Sequence, residues 1–209
     1  MNGKTNKAGF YLNLIRTVFQ AVDEQGKLRH RVVAFASATS GEGVSYVVDL
    51  LAKELAAQTQ NRVLRVDAAA LRSLQLLAPN QISRHCEETE IENLLTLTVA
   101  ETKGLVAAGA AMKAGEWETV PEYRAECLKA LRWNFDYVLI DCASPANSSE
   151  VAMLAPLVDG VSLIVKAAQT RRGQIQRCRE LIAGAGGNFL GFILNQRTYP
   201  LPDRLYRSL

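Results

Sequence analysis

The sequence predicts an α/β chain with a doubly wound, mainly parallel sheet flanked by helices. Two observations carry this. Short β-rich runs alternate with helical patterns along most of the chain, and most of the runs are continuously apolar. Strands covered by helices on both faces read that way, whereas half-exposed strands alternate polar and apolar residues. In chain order the pattern gives a helix over Gly9–Glu24 and a strand over Val32–Ala38. A helix follows, whose apolar stripe is Val47, Leu50, Leu51 and Leu55 at i, i+3, i+4 and i+8. Strands come next at Val63–Asp67 and Leu94–Val99, then a helix at Glu122–Trp133 and a strand at Tyr137–Cys142. The remaining pattern is helix Glu150–Leu157, strand Val161–Lys166, helix Arg172–Ala183 and strand Phe189–Asn195. The segment from about 78 to 122 is the least legible, with room for a loop. Sheets of this kind bind ligands at the carboxyl ends of their strands.

Composition sets the class. With 209 residues, 48% of them hydrophobic, the chain can bury a substantial core as one domain. Within residues 1–209, residues 1–30 read as a helical lead-in and 196–209 as a basic tail. Charged residues make up 22%, mean hydropathy is about zero, and only 14 Gly and 6 Pro occur, which excludes disordered or collagen-like chains. The longest run free of charge and strong polarity, Gly104 to Met112, falls short of the roughly 20 residues of a membrane helix. The first residues hold no apolar signal core or A-x-A site, so a cytoplasmic chain is expected. Cys86, Cys127, Cys142 and Cys178 show no metal-type spacing and read as reduced thiols.

The net charge of +3 is unevenly placed. From Lys166 to Leu209 there are eight basic residues and two acidic ones, while Cys86 to Glu126 holds nine acidic and three basic. Ordinary solvated surface accounts for this. So does a basic C-terminal face for an acidic partner, a phosphorylated ligand or a membrane surface.

The chemistry is expected after the first strand. There Ser40-Gly41-Glu42-Gly43-Val44-Ser45-Tyr46 joins a strand to a helix. A glycine loop at a helix N-terminus can cradle a phosphate with backbone N–H groups. A working phosphate loop reads G-x-x-x-x-G-K-[ST]. Gly43 and Ser45 fit that pattern, but Val44 holds the lysine position, and Ser37 or Ala38 the place of the first glycine.

Further along come Arg65-Val66-Asp67-Ala68-Ala69, Asp136-Tyr137-Val138-Leu139-Ile140-Asp141, Val158-Asp159-Gly160 and Gly191-Phe192-Ile193-Leu194-Asn195. This ordered set resembles the bacterial tyrosine kinases of capsule and exopolysaccharide systems and, more broadly, the MinD/ParA group of P-loop ATPases. The resemblance runs from about Phe10 to the C-terminus and is weakest between about Ala70 and Glu122. It implies ATP and Mg²⁺ as cofactors, with Ser45 and Asp141 matching metal-side positions. It also implies that Asp67 begins a D-x-D motif and that Asn195 lies near the adenine.

The sequence departs from the family where the chemistry lies. Val44 supplies no charge, Tyr46 replaces a second hydroxyl with a bulky ring on what is expected to be a tightly packed helix start, and Ala69 replaces the second aspartate of D-x-D. One lost transition-state contact typically costs about 10²–10³ in rate. Asp67 and Asp141 then read as vestigial, and Asp141 has a purely structural account as an acceptor for the first loop, including Ser45. Asn195 has one too, as a turn former. Lys166, Arg171 and Arg172, after a strand on the ligand side, are the candidate substitute cations. In the family's early helical motif E-x-x-R-x-x-R, the corresponding residues are Phe10, Asn13 and Arg16, so only the last is kept.

Other constellations are weak. His30 and His85 are isolated, no nucleophile–base pair stands out, and the aromatics do not interleave with basic residues as in RNA-binding platforms. Tyr199 and Tyr206 in the tail read as docking anchors. The resulting expectation is a catalytically impaired P-loop protein, with no cofactor expected, that regulates or scaffolds exopolysaccharide or capsule synthesis. Its partner would be a membrane-embedded chain-length or export protein or an active kinase, with a homo-oligomer open and no nucleic acid. The alternatives are an atypical ATP- and Mg²⁺-dependent tyrosine kinase or ATPase using a relocated cation, and a ParA/MinD-like positioning protein.

Overall fold

A computed structural model describes residues 5–19, 22, 25–26, 31–71, 86–91, 93–97 and 116–196. Among the described residues seven strands form one sheet: β1 (Val32–Ser37), β2 (Val63–Asp67), β3 (Glu87–Glu88), β4 (Leu94–Leu97), β5 (Tyr137–Asp141), β6 (Gly160–Lys166) and β7 (Phe189–Asn195). Their order is β3-β4-β2-β5-β1-β6-β7. Every pairing is parallel except that of β3 with β4. The helices are α1 (Thr5–Val18), α2 (Val44–Thr59), α3 (Glu116–Thr119), α4 (Pro121–Asn134), α5 (Glu150–Leu154) and α6 (Arg172–Gly184).

Both faces of the sheet are covered, which is why its central strands are continuous apolar runs. All six residues of β1 are buried. On one face, Ile15, Val18 and Phe19 at the end of α1 pack with Val48, Leu51 and Leu55 of α2. The Phe19 ring meets Tyr137 of β5 edge-on, with centroids 5.6 Å apart. On the other face, Leu128 and Leu131 of α4, Val151 of α5 and Ile182 of α6 close over Ala34, Val66, Ile140 and Leu163. Trp117 of α3 belongs to this layer and is fully enclosed.

Several sequence expectations are corrected. The first helix spans Thr5–Val18 rather than Gly9–Glu24. The two-residue strand β3 was not anticipated; it is short, acidic and exposed, so it carries no apolar signal. The helix expected to reach Leu157 stops at Leu154, because Pro156 has no N–H to continue it; a turn takes over, with the amides of Leu157 and Val158 both donating to the Leu154 carbonyl. Most of segment 78–122, residues 98–99 of the third expected strand, both histidines and the tail with Tyr199 and Tyr206 lie outside the described residues.

The amino-terminal edge of the sheet is stitched by Asp159, just before β6. Its carboxylate accepts the amides of Arg31 and Val32 at 2.6 and 2.7 Å and a two-pronged contact from Arg132 of α4 at 2.6 and 3.0 Å. Gly160 follows because a Cβ there would fall 2.4 Å from Leu190. Burial alone would raise the Asp159 pKa, but Arg132 and the two amides outweigh it and hold the carboxyl below its ordinary value of 3.8. A depressed carboxylate stabilises the fold above its unfolded pKa, and that contribution is lost as pH falls through the folded value. Asp159→Asn should therefore cost about 2–3 kcal/mol at pH 7. In urea unfolding, the gap to the wild type should narrow below about pH 4; a gap unchanged with pH would refute the assignment.

Candidate functional site

The site lies at the opposite, carboxyl edge of the sheet, where β1 turns into α2. Gly41 and Gly43 take left-handed φ values of 81° and 86°, a region open to glycine at little cost. At Gly43 space is also short, since a Cβ would fall 2.5 Å from Nδ2 of Asn195, which would have to shift. That Nδ2 donates to the Glu42 carbonyl at 2.8 Å, tying the end of β7 to the loop. Val47 makes the first bond of α2, to the Gly43 carbonyl, so the amides of Val44, Ser45 and Tyr46 precede the helix ladder. This is the geometry of an anion nest.

The loop is braced from within. Glu42 is 2% exposed; it accepts the Thr39 amide at 3.0 Å and the Thr170 hydroxyl through a short contact. Asn147 donates to the Ser40 hydroxyl at 2.7 Å, and Ser144, also buried, reaches the Ala38 carbonyl at 3.5 Å. Thr170 in turn accepts the Lys166 amide at 2.8 Å, which joins the β6–α6 connection to the same cluster.

Val44 is half-buried and packs against the apolar layer under α2. Tyr46, expected on a tightly packed helix start, is instead 56% exposed, so its ring does not plug the loop. Lys166 and Arg171 line a cleft of about 340 Å³ together with Thr39, Ser40, Gly41, Glu42 and Thr170. Arg172 is exposed and is not part of that lining.

Asp67 and Asp141 stand opposite each other at the ends of β2 and β5. Arg65 lies between them: Nη1 is 2.6 Å from Asp67 and Nη2 is 2.7 Å from Asp141. Its side chain is only 12% exposed, and that of Asp141 9%. Burial raises the Asp141 pKa; a hydrogen bond with the Ser45 hydroxyl and the Arg65 charge act against that, and the Asp67 charge adds to it. This donor set does not suit Mg²⁺ as it stands, because a guanidinium already occupies both carboxylates. Ala69 sits on the exposed side of the turn after β2. No group of three or more His, Cys, Asp or Glu gathers for a metal among the described residues. Burial pushes the Cys127 thiol up to about 12 and also raises Cys142, next to Asp141, so neither is poised as a nucleophile.

Arg65, Thr170, Ser144 and Asn147 were not foreseen. Arg65 had a readable signal, since residues two apart on a strand share a face. The other three lie in connections whose course only the fold reveals. Gly43→Ala should cost about 2 kcal/mol, combining left-handed backbone strain with the displaced Asn195 contact. In an Asn195→Ala background the same change should cost about 1 kcal/mol less; full additivity in thermal melts would show that Asn195 does not limit Gly43.

No family model matches the chain. The tyrosine-protein kinase CpsD of Streptococcus agalactiae is 25% identical over 203 residues, covering 92% of this chain and 85% of that protein. Among solved structures, the chimerical protein CapA2B2 superposes with a TM-score of 0.72 at 20% identity, covering 95% of this chain and 88% of its own. The VpsO kinase domain gives 0.67 at 22% identity, with coverage of 92% and 96%. ParA-family ATPases share the fold at lower similarity. The chain thus has the fold of the MinD/ParA group of P-loop ATPases and is similar, along nearly its whole length, to the bacterial tyrosine kinases within it.

Proposed function

We propose that this chain is a catalytically impaired P-loop pseudo-kinase that works by binding rather than by phosphoryl transfer. The carrying observation is Val44. Where the family pattern needs a lysine reaching the β- and γ-phosphates, this side chain packs on the apolar layer under α2. The backbone nest survives, but with no cation at position 44 on the helix side. A role in exopolysaccharide or capsule synthesis and export rests on the family likeness. So does the expected partner, a membrane-embedded chain-length or export protein or an active kinase. Among the described residues no helix is long and apolar enough to cross a membrane. Attachment at the inner membrane face would run through the partner, with the basic C-terminal region as its contact, and the same region would serve self-association.

A second reading keeps catalysis, as an atypical tyrosine kinase or ATPase with a relocated cation. Lys166 and Arg171 favour it by lining the cleft beside the loop. Phosphotyrosine formed on the purified protein with ATP would establish it.

The primary reading predicts that calorimetry finds no ATP·Mg²⁺ binding tighter than about 1 mM; micromolar affinity would overturn it. Val44→Lys should strengthen ATP binding about ten- to a hundredfold, the value of one charge-assisted contact. Hydrolysis should stay absent in that variant, because Arg65 still holds both carboxylates.

A further inference from the structure

The metal side of this site carries its own replacement. Asp67 and Asp141 are the two carboxylates that the fold family would turn toward Mg²⁺. Here each has a guanidinium nitrogen of Arg65 within 2.7 Å. We propose that Arg65 is a resident cation that pre-empts divalent metal binding, so that the folded chain takes no Mg²⁺ or Mn²⁺ at this carboxylate pair until Arg65 is removed.

Position, burial and charge each contribute. Arg65 and Asp67 are two residues apart on β2 and share its face. That face is the one covered by α2, since Val63 and Leu139 belong to the layer under α1 and α2. Asp141 falls on the same face of the neighbouring strand, in register with Asp67. The guanidinium thus lies on the α2 side of the sheet, with its side chain 12% exposed. A two-pronged arginine contact to separate carboxylates is also geometrically demanding, and a lysine could not reproduce it.

Charge decides the competition. Two carboxylates alone present −2 to an incoming cation, whereas the three-residue cluster presents −1. Arg65 takes one oxygen of each carboxylate, Oδ1 of Asp67 and Oδ2 of Asp141, so a divalent ion bridging the pair must settle beside a full positive charge or displace it, and Mg²⁺ gives up its own waters reluctantly. A carboxylate freed from a partly buried arginine leaves that arginine unpaired, a large penalty. The remaining oxygen ligand nearby, the Ser45 hydroxyl, already bonds Asp141.

ATP bound by the chain in EDTA would overturn the functional proposal and leave this one intact.

The test uses Mn²⁺ alone as the probe, read by electron paramagnetic resonance of the free ion, with the nucleotide-free wild-type chain first. No Mn²⁺ should bind below about 1 mM, and stoichiometric binding at lower concentration that Asp67→Asn or Asp141→Asn abolishes would overturn the proposal without any need for an Arg65 variant. Arg65→Met should then create a site at least about tenfold tighter than in the wild type, lost again in Arg65→Met with Asp67→Asn. Arg65→Lys restores a charge but not the fork and should fall between the two. If either Arg65 variant is folded by circular dichroism yet gains no Mn²⁺ affinity, the guanidinium is not what excludes the metal and the proposal fails.

Discussion

Two carboxylates at the ends of adjacent parallel strands are the constraint around which this end of the molecule is organised. The β2–β5 register sets Asp67 beside Asp141, and strand spacing places their backbones about 5 Å apart. At an effective dielectric constant near 20, two full charges that close repel by roughly 3 kcal/mol. Something must supply positive charge there. In a nucleotide-hydrolysing relative of this fold that would be a bound metal; in this chain it is the guanidinium of Arg65, two residues upstream on the same strand. The carboxylates are thus satisfied by the chain itself, and the local fold has no electrostatic need of a ligand.

The same self-sufficiency extends across the loop. Glu42 turns inward to the Thr39 amide and the Thr170 hydroxyl, and Asn195 fixes the Glu42 carbonyl. These contacts join β1, β6 and β7 through one buried acidic residue. A loop held by its own side chains keeps the anion nest's shape without a phosphate in it. Such a platform suits a protein that presents a constant surface to a partner. The opposite edge is fastened independently by Asp159, which binds the start of β1 to α4. Loop geometry and sheet integrity therefore rest on separate networks.

How much of this could be read in advance follows from the reach of each signal. β2 and β7 were bounded correctly because their ends coincide with a change from apolar run to polar turn. The stripe Val47, Leu50, Leu51 and Leu55 announced α2; Val47, Leu51 and Leu55 are buried, while Leu50 stays half-exposed at the edge of the stripe. The loop itself was legible as strand, glycines and helix. Tyr46 was misjudged because position in a motif does not say which way a helix faces; three residues into α2 it points to water. Thr170 and Asn147 lie more than 100 residues from the loop atoms they hold, beyond any local pattern. Arg65 was within reach of the two-residue period of a strand, but a substitute cation was expected to meet a phosphate. The cation present instead meets the carboxylates.

That difference bears on what a relocated cation could do. In the sheet, β1 separates β6 from β5, and β2 lies one strand further on. At about 4.8 Å per strand, the end of β6 is roughly 10 Å from that of β5 and roughly 14 Å from that of β2. Lys166, at the end of β6, and Arg171 beyond it, can therefore meet an anion lying on the Thr39–Glu42 side of the loop, where the cleft is. They stand on the far side of β1 from Asp67 and Asp141. They also share the cleft with Glu42, whose carboxylate offsets one positive charge. Arg65, on the near side, is already spent on the carboxylates. Net positive charge thus flanks the loop on the Lys166–Arg171 side alone; the Arg65 cluster on the other side is net negative, and position 44 stays apolar. That arrangement suits holding an anion at the loop's edge better than stabilising charge as it develops on a transferring phosphoryl group.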